Sequence, residues 1–136
     1  MIMKKVFPLL LLIFVAVSCG GYDTQSKVDE VLSIHDEVMP KMGEVMNLKR
    51  QVLAEAQKVT DSAEVTDLRT LAKELDDANS SMMVWMREWS KNSQPHVKEE
   101  TTIEEREAFF QEEMEKVLMV KENINNSIAA AKKKLQ

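Results

Sequence analysis

The sequence predicts an all-α fold, an antiparallel up-down-up three-helix bundle, and three observations carry that expectation. Apolar residues step by three and four along three separate stretches, the signature of helices with one buried face. Only three Gly, three Pro and 5% aromatics occur in 136 residues, too few for a turn-rich β sandwich. Capping signals stand ahead of the second and third stretches, at Asp61 and at Thr101 or Thr102. With 44% hydrophobic and 30% charged residues the chain suits one core. Its 18 Lys and Arg against 23 Asp and Glu give a net charge of −5 without a basic stripe. Nucleic acid is therefore excluded as a partner, because phosphate binding relies on clustered cations.

The first element is an export signal over 1–18. Lys4 and Lys5 precede an apolar run from Val6 to Val17 that Pro8 interrupts, and small residues lead to Cys19. At a helical rise of 1.5 Å per residue this run covers only about 18 Å, well short of a hydrocarbon core of about 30 Å. The segment Ala16-Val17-Ser18-Cys19 resembles the lipobox of bacterial lipoproteins, with Ala where Leu is commoner. That resemblance implies that Cys19 becomes the lipidated first residue of the mature chain. It also gives a role to a thiol that otherwise lacks a partner in an oxidising compartment. Two or more acyl chains anchor stably where one is marginal. Gly20 stands where inner-membrane retention uses Asp, and Gly20-Gly21-Tyr22-Asp23-Thr24 holds one acid rather than an acidic export run. Family analogy then places the anchor in the outer membrane, on the periplasmic leaflet. Residues 19–25 form a tether of at most roughly 20 Å.

The bundle occupies 26–136. The first helix is expected over about 26–59, with Val28, Val31, Leu32, His35, Val38, Met39, Met42, Val45, Met46, Val52, Leu53, Ala56 and Val59 on one face. Pro40 removes the amide that would bond back to Asp36, and Gly43 adds backbone freedom, so a kink or a break is expected near Pro40. A break would give four helices. The second helix, over about 62–91, opens on Asp61-Ser62-Ala63-Glu64, readable as a capping box, and carries Val65, Leu68, Leu71, Ala72, Leu75, Ala78, Met82, Trp85, Met86 and Trp89 on its apolar face. Asn92-Ser93-Gln94-Pro95-His96 ends it, and a loop runs to about Thr101. The third helix, over about 102–135, shows Ile103, Phe110, Met114, Val117, Ile124, Ile128, Ala131 and Leu135. Eight Glu and one Arg over residues 99 to 115, against Lys132, Lys133 and Lys134 at the end, match the helix dipole and need no binding role.

Folding the first two helices about residues 60 and 61 sets Met39 opposite Met82, His35 opposite Met86 and Leu32 opposite Trp89. A second hairpin centred near 97 brings Phe109 and Phe110 level with Trp85 and Val84, with Met114 a turn away. One end thus collects His35, Met39, Met82, Met83, Trp85, Met86, Phe110 and Met114. Thioethers and imidazole suit Cu(I), so His35, Met39, Met82 and Met86 are candidate metal ligands, in i, i+4 pairs on their helices. The competing explanation is that flexible Met side chains fill an irregular core beside Pro40. Trp85 and Trp89 are the candidate partner surface.

Other chemistries lack their residues. Haem attachment has no Cys-x-x-Cys-His, and Trp and Phe crowd the space that a porphyrin needs. Di-iron chemistry needs Glu three residues before a His, but Leu32 and Ser93 stand there. Ser33, His35 and Asp36 share one helix without convergence, and no nucleophile, base and oxyanion set assembles, so an enzyme is not expected. His96 reads as a solvated turn residue.

The segments Ile34-His35-Asp36-Glu37-Val38-Met39-Pro40-Lys41-Met42-Gly43 and Met82-Met83-Val84-Trp85-Met86 resemble those of uncharacterised small Bacteroidota lipoproteins often labelled viral A-type inclusion proteins. The label reflects generic coiled-coil similarity. The resemblance implies lipidation and a helical fold, and no activity or cofactor. The functional expectation is a non-enzymatic interaction or structural module with an envelope protein as partner, copper handling being the alternative.

Overall fold

The computed structural model describes residues 20–136, all helix and connecting turns. The export segment 1–18 and Cys19 lie outside the described residues. Helix α1 spans Thr24–Val38, a 3-10 turn spans Met39–Lys41, and α2 spans Met42–Ala56. Helix α3 spans Ser62–Asn92, α4 is one turn over Gln94–Val97, and α5 spans Ile103–Lys134. No helix among the described residues is long and apolar enough to cross a membrane.

Helix α1 begins two residues earlier than its apolar stripe suggested, because the Asp23 carboxylate accepts the Ser26 amide at 3.0 Å and satisfies one of the free N–H groups of the first turn. Thr24 and Gln25, expected in the tether over 19–25, are thus part of the helix. The break falls at Pro40, where the missing amide tightens the chain into the 3-10 turn before α2 resumes. Gly43 takes no part in it, since it lies inside α2 in open space. Helix α2 stops at Ala56 rather than near 59. Its last amides bend back in short turns, Gln57 to Ala54 and Lys58 to Glu55.

Asp61 caps α3 by accepting the Glu64 amide at 2.9 Å. The Glu64 carboxylate does not close the expected box and lies 3.6 Å from the Lys134 ammonium on the neighbouring helix. After α3 the expected loop contains α4, because Pro95 sits in the first turn, where a missing amide costs nothing. The chain reverses at Glu99, whose φ of 58° is left-handed, and its amide donates to the His96 carbonyl at 3.1 Å.

Helix α5 opens on a complete capping box. Thr102 Oγ1 accepts the Glu105 amide at 3.2 Å, and the Glu105 carboxylate accepts the Thr102 amide at 2.8 Å. That backbone amide, then the Thr102 hydroxyl, holds the Glu105 carboxyl below its ordinary 4.5. A depressed carboxyl pKa stabilises the fold above pH 4.5 and ceases to do so as pH falls through the lowered folded value. Thr102→Ala, which removes the Oγ1 that accepts the Glu105 amide, is expected to cost about 1 kcal/mol whatever the pH, because that bond does not titrate. The pH-dependent part belongs to Glu105: urea melts from pH 7 to pH 3 should show Glu105→Ala converging on the wild type in acid, and a constant difference would contradict this account.

The arms stack as up-down-up. Helix α2 packs along α3, α3 along α5, and α1 leans on α5. First and third arms run parallel, and two contacts share one offset of 84 residues: Lys121 with Glu37 at 2.8 Å and Lys41 with Asn125 at 2.6 Å. The core joins Val31, Val38, Val45, Leu48 and Val52 to Leu68, Leu75, Met82 and Trp85, and to Val117, Ile124 and Ala131.

Candidate functional site

His35 stands one turn before the Pro40 break, and its Nδ1 is 2.9 Å from Asp36 Oδ1. An ionised carboxylate only accepts, so Nδ1–H donates, and the lone pair of a neutral imidazole then falls on Nε2. That Nε2 is buried without a hydrogen-bond partner. The ring leans on Trp85 with centroids 5.8 Å apart and planes tilted by 33°. The alignment had given His35 to Met86, so the pairing falls one residue away. Farther along the arm, Lys49 pairs with Asp76 at 2.5 Å, four residues from the position that the alignment assigns.

Of the four candidate ligands, Met82 is fully buried, while Met39 and Met86 are partly buried and packed against the same core. Met42 joins them from the first turn of α2. Met83 leaves the group, because it is 37% exposed on another face of α3. Met39, Met82 and Met86 thus pack in or against the core that holds Trp85, and His35 meets that core through the Trp85 ring.

The aromatic residues assemble differently from expectation. Phe109 and Phe110 meet Trp89, at 5.9 and 6.2 Å, instead of Trp85 and Val84. The one-turn displacement follows from α4, which moves the reversal of the second hairpin from near 97 to Glu99. A ladder results: Trp85 stacks on Trp89 at 5.6 Å, Trp89 on Phe109, and Phe109 on His96 at 4.1 Å with planes 10° apart. His96 is therefore no solvated bystander. Its Nδ1 also lies 3.0 Å from the Thr101 hydroxyl. Trp85, only 3% exposed, is core and offers no partner surface. Trp89, Phe109 and His96 are half-buried and carry what accessible aromatic face there is.

Two buried charged residues escaped the periodicity. Glu113 is 3% exposed, with one oxygen 3.0 Å from Lys116 and the other buried without a partner. Hydrogen bonds from Lys116 to Glu112 and Glu113 push the ammonium's pKa above its ordinary range. Arg106 is 8% exposed, donates to the Thr101 carbonyl at 2.7 Å, and lies over the Tyr22 ring at 5.9 Å. Both sit in the apolar phase of α5 that passes through Phe110 and Val117, a signal that marks them once charge is not taken as proof of exposure.

No protein-family model, curated protein or solved structure matches the chain. Among the described residues no group of three or more His, Cys, Asp or Glu is placed to hold a metal ion. The chemistry at His35 therefore rests on its one unpartnered imidazole nitrogen.

Proposed function

We propose that the chain is a membrane-anchored lipoprotein of the bacterial envelope, held to the outer membrane through Cys19 and facing the periplasm. Its helical bundle serves as a non-enzymatic interaction module for an envelope protein. The lipobox-like Ala16-Val17-Ser18-Cys19 supports the anchor, in line with the resemblance to Bacteroidota lipoproteins. The observation that carries the partner reading is the half-buried strip of Trp89, Phe109 and His96, stacked into one rigid unit at the bundle end from which α1 departs toward Cys19. Rings already fixed by stacking lose little side-chain freedom on docking, and partly exposed aromatic anchors are where binding energy concentrates.

The test is a photo-crosslinking amino acid at position 109, with position 118 on an exposed face of α5 as the control, in a wild-type and a Cys19→Ala background. An envelope-protein adduct at 109 alone, lost when Cys19→Ala moves the chain out of the membrane fraction, is the expected result. No adduct at 109, or equal adducts at both positions, would sink the partner reading. Retention of the Cys19→Ala chain in the membrane would sink the anchor.

A second reading has one observation in its favour. The unpartnered Nε2 of His35, its tautomer fixed by Asp36, is the form in which a histidine ligates a soft metal, and Met39, Met82 and Met86 would supply thioethers for Cu(I).

A further inference from the structure

A cleft of about 310 Å³ opens between the first halves of α1 and α5. It is a product of the parallel pairing of the first and third arms. Val31 and Phe110, both almost wholly buried, and Met114 give it an apolar floor. Tyr22 closes the end nearest the tether, and its hydroxyl is buried without a hydrogen-bond partner. Burial raises the phenol's pKa, which keeps it a neutral donor and acceptor. Arg106 lies over the Tyr22 ring and is tied to the Thr101 carbonyl, so its charge is engaged there.

The rim is unbalanced in charge. Glu30, Glu107 and Glu115 line it against a single cation, Lys27, which is bonded to Glu30 at 3.0 Å. Glu107 and Glu115 stand two turns apart on one face of α5, with Gln111 between them. An anion entering here meets excess negative charge. A purely apolar molecule would strip water from the carboxylates and leave the Tyr22 hydroxyl unanswered, which is unfavourable. The volume lies at the lower end of small-molecule sites, which are mostly apolar with a few convergent polar groups.

We propose that this cleft binds a small primary amine with a short apolar body. The ammonium sits at the rim in the field of Glu107 and Glu115, which stand about 12 Å apart along α5, the body rests on Phe110, Met114 and Val31, and a polar end group meets the Tyr22 hydroxyl. This site is independent of the partner reading and of the copper reading.

Titration calorimetry of the full chain in nonionic detergent tests it, with tyramine as the probe and its alcohol analogue 2-(4-hydroxyphenyl)ethanol as the uncharged comparison. Tyramine is expected to bind saturably at one site per chain, with the alcohol about tenfold weaker through loss of the attraction from the two exposed rim carboxylates. Glu107→Gln/Glu115→Gln should reduce tyramine affinity by a similar factor while melting like the wild type, since neither carboxylate is part of the core. Tyr22→Phe should weaken binding a few-fold by removing one hydrogen bond. Absence of saturable tyramine binding, equal binding of amine and alcohol, or an unchanged double variant each overturns the proposal.

Discussion

Phe110→Ala is expected to destabilise the bundle by about 3–5 kcal/mol, whereas Phe109→Ala, at the adjacent position, should cost less than half as much. Phe110 is 2% exposed and points between the three arms. It meets the Phe109 ring edge-on at 5.3 Å and Trp89 at 6.2 Å, and floors the cleft between α1 and α5. Removing its ring leaves a cavity that three rigid helices cannot collapse into, so the lost transfer energy and the cavity term add. Phe109 is only half-buried and stacks on the one-turn helix α4, which can adjust. A domain of this size has roughly 5–15 kcal/mol in all, so the Phe110 variant should unfold at much lower urea while the Phe109 variant stays near the wild type. Equal losses would mean that the core does not extend to this end of the bundle.

The contrast between these neighbours illustrates what the sequence makes legible. Periodicity within one helix is local, and it placed Val31, Val38, Val45 and Val52 correctly, along with Leu68, Leu75, Met82 and Trp85. Its errors cluster where the chain changes helical phase. Beyond the 3-10 turn the buried positions run Met42, Val45, Leu48, Val52 and Ala56, a narrower stripe than expected. Leu48 enters it, and Leu53, 38% exposed, leaves it. The lone proline was enough to locate the break, because a missing amide is a property of one residue.

Contacts between arms were less legible, for a geometric reason. Hairpin arithmetic assumes straight helices and a known turn midpoint. Pro40 bends the first arm, and Pro95, expected to interrupt the chain, starts α4 and displaces the second midpoint to Glu99. Trp85, Phe109 and Phe110 were brought to one end of the bundle but paired one turn away, and Trp89 and His96 were left out of the group. Parallel pairing of the first and third arms follows from no single turn, so the cleft joining Tyr22 and Glu30 to Glu107 and Phe110 was invisible to consecutive alignment. A burial pattern also admits charged residues, as Arg106 and Glu113 show.

Cu(I) titration against a competing chelator, under anaerobic reducing conditions, separates the two roles open to the methionine cluster. If the cluster is a metal site, a soluble chain beginning at Tyr22 binds one Cu(I), and His35→Ala/Met86→Leu removes an imidazole and a thioether together. The loss should then exceed the roughly 10–100-fold that disturbing an outer partner causes, and Asp36→Asn should fall within that outer-partner range, because it weakens the hydrogen bond that fixes the His35 tautomer. A purely structural cluster gives another pattern. Met82, fully buried in the core that also holds Trp85 and Leu75, would then matter to stability alone, and Met82→Ala would cost about 2–5 kcal/mol. The wild type would hold copper no better than the double variant. Asp36→Asn discriminates most sharply, since the Asp36 side chain is 76% exposed and has little packing to lose. A change in copper affinity without a change in melting would trace to the His35 lone pair, and no change in either would return His35 and its methionines to the core.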